Sequence, residues 1–269
     1  IWDYFKFNQK KDKLIVKKIL ISTGGSGGHV IPAITLFEHY NESFETYLVS
    51  DKRGAKYINN NKYPFEIIDT PKISKNIIKI PFILIFFLIS ILRSYFFLRK
   101  KNIQYLISTG GYMSFPFCIS AKLLNIKIFL FEPNMVIGKS NKFFLNFSKK
   151  IICYSDQIKN FPDNHKNKKL LINPLLRKEI YNLQTNIERD INLPFKLLII
   201  GGSQGAKFFD EKVVELVKNL SKENEIYVTQ QISDQNKKIE IIKKYDEINL
   251  KYELFSFNND LYKKFNNID

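Results

Sequence analysis

The sequence predicts an α/β protein with two doubly wound parallel-sheet domains. Short apolar runs alternate with helix-length segments along the chain. The runs are rich in Ile, Leu, Val and Phe without strict alternation, as in strands covered on both faces. A strand, a glycine-rich turn and a helix start occur together at Lys18–Gly28 and again at Lys196–Gly205. A length of 269 residues agrees, at ~150 residues per domain. The boundary is expected near Asn173–Arg177, giving domains of 1–175 and 176–269.

The expected strands, in order, are Ile19–Ser22, Tyr47–Ser50, Phe65–Ile68, Tyr105–Ser108, Ile126–Phe131, Ile151–Tyr154, Leu170–Ile172, Leu197–Ile200 and Ile226–Thr229. Each is a short apolar run, the length of a buried strand. The expected helices include Pro32–Tyr40, Ser114–Leu124, Lys207–Leu220 and Lys237–Tyr245. An apolar share of 45% with 25% charged residues excludes a disordered chain, a collagen-like repeat and a small disulfide scaffold.

Lys+Arg minus Asp+Glu is 42 − 26 = +16, and only Arg53, Arg93, Arg99, Arg177 and Arg189 are arginines. Lysine is a hydrated point charge, whereas arginine reads phosphates in a bidentate way. The abundance of Ile, Asn, Lys and Phe also matches the drift of an A+T-rich genome. The charge alone therefore implies no nucleic-acid partner. Cys118 and Cys153 stand in apolar surroundings without zinc spacing, which points to free thiols and no metal site.

The motifs that carry chemistry lie at the carboxyl ends of expected strands, where ligands of parallel sheets bind. Ser22-Thr23-Gly24-Gly25-Ser26-Gly27-Gly28-His29 is an anion-binding type of turn, with glycines for close backbone approach and a helix N-terminus behind them. It is not the dinucleotide fingerprint, because Val30 stands where the third glycine belongs, nor a P-loop. His29 is a candidate general base or a polar helix start. Gly201-Gly202-Ser203-Gln204-Gly205-Ala206 repeats the device, with Ser203 as its hydroxyl. Ser108–Pro116 brings the paired glycines Gly110-Gly111. Phe131-Glu132-Pro133-Asn134 offers Glu132 and Asn134 to the same crevice.

Within Ile77–Leu98, Phe82–Leu92 is apolar but for Ser90. As a helix it spans about 16 Å, half of a ~30 Å hydrocarbon core, too short to cross alone. Lys72, Lys75 and Lys79 precede it, and Arg93, Arg99, Lys100 and Lys101 follow. Basic flanks suit an anionic membrane surface, while an apolar character nearly all round suits core burial.

Together these motifs resemble one family, the UDP-N-acetylglucosamine–N-acetylmuramyl-(pentapeptide) pyrophosphoryl-undecaprenol N-acetylglucosamine transferases. The likeness rests on Gly24–His29 with Pro32, Gly110-Gly111-Tyr112-x-Ser114-x-Pro116, Glu132-Pro133-Asn134 with Gly138-x-x-Asn141, Arg177, and Gly201–Ala206. Differences are Ser26 in place of Thr, Phe131 in place of His, Pro133 in place of Gln, and one more residue between Pro174 and Arg177.

The resemblance implies a GT-B-like fold of two Rossmann-like domains, the first for acceptor and membrane, the second for the nucleotide sugar. It implies inverting transfer of N-acetylglucosamine from UDP-GlcNAc to lipid I, forming lipid II in peptidoglycan synthesis, without cofactor or metal. The location implied is the cytoplasmic face of the bacterial plasma membrane, on its anionic surface. Ser26, Gly27 and Gly28 would line the donor sugar and acceptor, with His29 as a candidate base or positioning residue. Asn134 would contact the N-acetylglucosamine, Arg177 and Ser203 the nucleotide–diphosphate side, and Asn258 the uracil. The chain stops at Asp269, where the family continues, so the second domain is expected to be incomplete and donor binding impaired. Two other readings stay open: another GT-B glycosyltransferase with a lipid-linked acceptor, and a non-enzymatic basic protein of the membrane surface.

Overall fold

The structure is a computed structural model that describes residues 17–71, 80–181, 193–201, 207–232, 234–256, 261–265 and 268–269. The chain divides into two compact units, Ile1–Lys178 and Glu179–Asp269.

In the first unit the elements are β1 (Lys18–Ser22), α1 (Gly27–Tyr40), β2 (Glu45–Ser50), α2 (Lys52–Ala55), β3 (Glu66–Ile67), α3 (Ile80–Lys100), β4 (Tyr105–Ser108), α4 (Ser114–Leu123), β5 (Lys127–Glu132), α5 (Lys139–Phe144), β6 (Lys150–Cys153) and β7 (Lys169–Leu171). All neighbouring strands are parallel, in the order β3-β2-β1-β4-β5-β6-β7. Leu20, Leu106, Ile128, Leu130 and Ile151 fill one layer with Phe117 and Phe144 from the helices. β1 pairs with both β2 and β4, so the order of strand addition reverses there, and a crevice opens beyond the carboxyl ends of β1 and β4.

α1 begins at Gly27 rather than at Pro32. The fixed φ of proline is helical, and its missing N–H frees only the carbonyl of Gly28, inside the first turn. α3 runs for 21 residues, longer than its apolar centre predicts. By length and composition alone it would reach across a membrane, yet only 17% of its most apolar stretch is buried. Its inward stripe is Ser90, Ser94 and Leu98, while Phe82, Leu84, Phe86, Leu88, Leu92 and Phe96 face outward. The Ser90 hydroxyl lies 2.7 Å from the Asp69 carbonyl, and Ser120 of α4 donates to the Ile91 carbonyl at 2.9 Å. Small polar residues thus hold the helix against the unit, and its apolar side is left outside, the reverse of a core helix.

Helix ends repeat one device. Asn102, Asn125 and Asn249 have φ of 53°, 54° and 49°, and each precedes an apolar residue. The next N–H bonds back to the helix, Ile103 to Leu98, Ile126 to Ala121 and Leu250 to Tyr245. This left-handed cap turns each helix directly into a strand or its approach.

The second unit carries β8 (Phe195–Ile199), α7 (Lys207–Leu220), β9 (Ile226–Gln231), α8 (Lys238–Asp246) and β10 (Lys251–Phe255), preceded by the short α6 (Lys178–Tyr181), which begins in the first unit. Among the described residues its sheet has three parallel strands, β10-β9-β8. Val213, Val217, Val228, Ile241 and Tyr245 form its core. β10 escapes the sequence analysis because Lys251 and Glu253 interrupt its apolar positions. Both are exposed, as fits an edge strand.

Candidate active site

A buried polar belt closes the carboxyl ends of the first sheet: Ser22, Thr23, Ser50, Asp51, Ser108, Thr109 and Glu132. Thr109 donates its hydroxyl to Thr23 at 2.8 Å, and the hydroxyls of Ser108 and Ser114 lie 2.7 Å apart. These bonds join the turns after β1 and β4 into one surface.

On that surface the turn after β1 has Gly25 at φ +80°, a conformation that side-chain-bearing residues rarely adopt. Ser26 caps α1 in extended conformation without a side-chain cap bond. Its carbonyl accepts from the N–H groups of His29 and Val30. Among the described residues the N–H groups of Ser26, Gly27 and Gly28 have no protein acceptor, which leaves an anion-binding end on a helix of 14 residues. Gly28 is exposed, Ser26 half-buried and Gly27 buried.

His29 is half-buried, and its Nδ1 lies 2.7 Å from the Thr109 carbonyl. A carbonyl only accepts, so Nδ1 carries a proton and the lone pair of neutral imidazole falls on Nε2. Gly110 and Gly111 flank the ring at φ +94° and +77°. A Cβ on Gly110 would lie 3.2 Å from His29 Cε1, and one on Gly111 would lie 3.4 Å from Cδ2. A side chain at Gly110 would press on the imidazole by a few tenths of an ångström, while at Gly111 it is the positive φ that favours glycine.

Glu132 ends β5 at 2% exposure. One carboxylate oxygen accepts from the Asn134 amide at 2.9 Å, the other from the Gly138 N–H at 2.7 Å and from Asn141 Nδ2 at 3.0 Å. Glu132 is therefore the brace of its loop rather than a free ligand group. It presents exposed Asn134 at the crevice rim. Asn141 Nδ2 and His29 Cε1 lie 3.6 Å and 3.2 Å from the point where a Cβ on Gly110 would stand, so Asn134 and His29 belong to one connected cluster.

Arg177 is not gathered there. It hydrogen-bonds Tyr63, whose hydroxyl also meets Glu38 near the C-terminal end of α1. That helix carries Ser26 at its opposite end, so within the first unit Arg177 is not brought to the glycine turn. Ser203 and Asn258 lie outside the described residues, as do Lys72, Lys75 and Lys79. Burial pushes the thiols of Cys118 and Cys153 up to about 12, so neither is a nucleophile. Sequence reasoning missed Asp51 and Arg53. The available signal was a carboxylate closing a strand, as Glu132 does.

The chain matches the glycosyltransferase family 28 N-terminal domain over residues 19–153 and the corresponding C-terminal domain over residues 196–269. This chain belongs to glycosyltransferase family 28. Within that family it is 49% identical over 249 residues to the UDP-N-acetylglucosamine–N-acetylmuramyl-(pentapeptide) pyrophosphoryl-undecaprenol N-acetylglucosamine transferase of Pelagibacter ubique (strain HTCC1062), covering 91% of this chain and 68% of that protein. It is 34% identical to the Rickettsia bellii (strain RML369-C) enzyme of the same name, covering 94% and 72%. The crystal structure of Acinetobacter baumannii MurG superposes with a TM-score of 0.64 at 21% identity, covering 94% of this chain and 72% of that one. The UDP-GlcNAc 2-epimerase of Neisseria meningitidis gives 0.53 at 11% identity, covering 90% and 73%. These two structures share the fold of two Rossmann-like units.

Proposed function

We propose that this family 28 glycosyltransferase moves N-acetylglucosamine from UDP-GlcNAc to the C4 hydroxyl of the muramyl sugar of lipid I, forming lipid II with inversion. The names of the Pelagibacter and Rickettsia relatives support the substrates. The observation that carries the chemistry is His29 with Nδ1 tied to Thr109, which leaves Nε2 as the proton acceptor beside an open helix N-terminus.

The acceptor oxygen attacks the anomeric carbon while Nε2 takes its proton. The bond from that carbon to the diphosphate oxygen breaks, and UDP leaves with the electron pair. Fixed N–H dipoles stabilise the developing charge without reorganising. Ser26, Gly27 and Gly28 supply the donors and hydroxyl on the sugar side, and Asn134 contacts the N-acetylglucosamine. Ser203 and Asn258 serve the nucleotide side. In this reading residues 1–175 handle acceptor and membrane, and 176–269 handle the nucleotide sugar.

The outward apolar side of α3, with exposed Arg93, Arg99 and Lys100, supports docking on the anionic cytoplasmic face of the plasma membrane. The test is incorporation of labelled N-acetylglucosamine into a lipid I analogue, with a screen of other nucleotide sugars. Transfer from UDP-GlcNAc that is lost in His29→Ala is the expected result. Preference for another donor, or no transfer despite UDP-GlcNAc binding, rejects the assignment.

A further inference from the structure

We propose that Asp51 is a positioning residue which, through Arg53, latches the Gly24–Gly28 turn to the Gly110–Tyr112 turn. The functional weight of the latch rests on the transferase reading above, because those turns hold its reacting groups.

Asp51 follows β2 and is fully buried. Its Oδ1 accepts from the N–H of Gly25 at 2.9 Å and from the N–H of Gly54 at 2.8 Å. One oxygen thus ties the glycine turn to the start of α2. Its Oδ2 is ion-paired with the Arg53 guanidinium, which lies over the Tyr112 ring at 5.5 Å from the centroid. Tyr112 directly follows the two glycines that flank His29.

The packing leaves the turn no alternative. A Cβ on Gly24 would lie 2.6 Å from Met113 Cγ and 2.8 Å from Asp51 Oδ1, and one on Gly54 would lie 2.9 Å from Gly24 Cα. With the Gly25 N–H directed inward to Asp51, the N–H groups of Ser26, Gly27 and Gly28 remain for an anion. Arg53 neutralises the buried Asp51 carboxylate and carries the constraint across to the second turn.

Asp51→Asn separates the two jobs. Its oxygen can still serve Gly25 and Gly54, but its amide donors face the donors of Arg53. Arg53→Gln removes the cation, and Arg53→Lys restores charge without the planar stacking face. Hydrogen exchange on the full chain is the first readout. In Asp51→Asn, where the acceptor loses its charge, and in Arg53→Gln, exchange is expected to rise about tenfold at the bonded amides of the two turns, Gly25 and Gly110, with β4 and β5 unchanged. The second readout is transfer to a lipid I analogue. kcat is expected to fall about tenfold with the KM for UDP-GlcNAc within about twofold, and Arg53→Lys is expected to recover part of the Arg53→Gln loss.

Unchanged exchange at either turn, a rise spread over the whole unit, or an unchanged kcat overturns the latch. Should Asp51→Asn fail to fold, the partly exposed Arg53 variants decide it. Should the wild-type chain bind UDP-GlcNAc yet transfer no N-acetylglucosamine, the transferase reading falls, while the exchange pattern still tests the latch.

Discussion

Gly110→Ala tests whether the second glycine turn holds the imidazole of His29 in place. Two costs are expected. At φ +94° an alanine backbone is strained by about 1–2 kcal/mol. Its Cβ would also stand 3.2 Å from His29 Cε1, so the ring must give way by a few tenths of an ångström. With Nδ1 held at 2.7 Å from the Thr109 carbonyl, that movement takes the side chain off its rotamer, at about 0.5–1.5 kcal/mol. Gly25→Ala is the control, because it has φ +80° but nothing within 4 Å of its new Cβ. Urea unfolding should therefore show Gly110→Ala less stable than Gly25→Ala by about 1 kcal/mol. Since a 1 Å misplacement costs about 100-fold in rate, the smaller shift should lower kcat of Gly110→Ala on the order of three- to tenfold. Equal stability of the two variants, together with a wild-type kcat for Gly110→Ala, would refute the claim that Gly110 braces the imidazole.

Long-range nitrogen–proton NMR on labelled histidine should find His29 protonated at Nδ1 with the lone pair on Nε2, and the opposite tautomer would remove its role as base. His29→Ala should lower kcat by about 100- to 10,000-fold while costing stability by no more than about one lost hydrogen bond, ~1 kcal/mol. Phe82→Asp with Phe86→Asp, both on the outward side of α3, should abolish binding to anionic vesicles at high salt and leave Tm unchanged. Phe87 is unsuitable for that test, since it packs on Phe115 at a ring distance of 6.2 Å. For Glu38, burial works to raise the carboxyl, but bonds from the Tyr63 hydroxyl, the Lys178 N–H and the Lys62 ammonium outweigh it and hold the value below the ordinary 4.5. A depressed carboxylate stabilises the fold above the ordinary value and loses that contribution as pH falls through the depressed one. The difference in urea midpoint between wild type and Glu38→Gln should thus narrow as pH drops below about 4.5, and a difference independent of pH would count against the cluster.

The sheet was legible because its strands are continuous apolar runs, and no other local pattern competes with them. Tyr105–Ser108 is read to the residue, and Lys207–Leu220 likewise. Helix ends were harder, although the signal was present. Asn102-Ile103, Asn125-Ile126 and Asn249-Leu250 are left-handed caps with an apolar residue after them, a pattern visible in the letters. Pro32 misled, because its usual place at a helix start hid the earlier glycine start. β10 was invisible because edge strands mix Lys and Glu with apolar positions. Of the site, Ser26–His29 and Asn134 lay in motifs, but the partner of His29 did not. Thr109 acts through its backbone carbonyl, which any residue there would supply, so no side-chain pattern could mark it.

The orientation of α3 shows what composition leaves undecided. An apolar helix is read as core or as membrane contact by the same residues, and the choice depends on which side finds a partner. Here the partner side is Ser90, Ser94 and Leu98; Ser90 bonds the backbone carbonyls of Asp69 and Phe86, and α4 approaches through Ser120. Phenylalanine at 82, 86 and 96 is then exposed to 58–63%, beside exposed Arg93 and Arg99. In water such a surface carries a free-energy cost of ~25 cal/mol per Å² that only a lipid or protein partner removes. The same α4 leads back through Ser114, bonded to Ser108, to the turn that flanks His29. An acceptor anchored in a membrane under α3 would meet the imidazole through rigid packed elements. On the transferase reading proposed above, the apolar surface and the imidazole are thus joined through one set of packed elements.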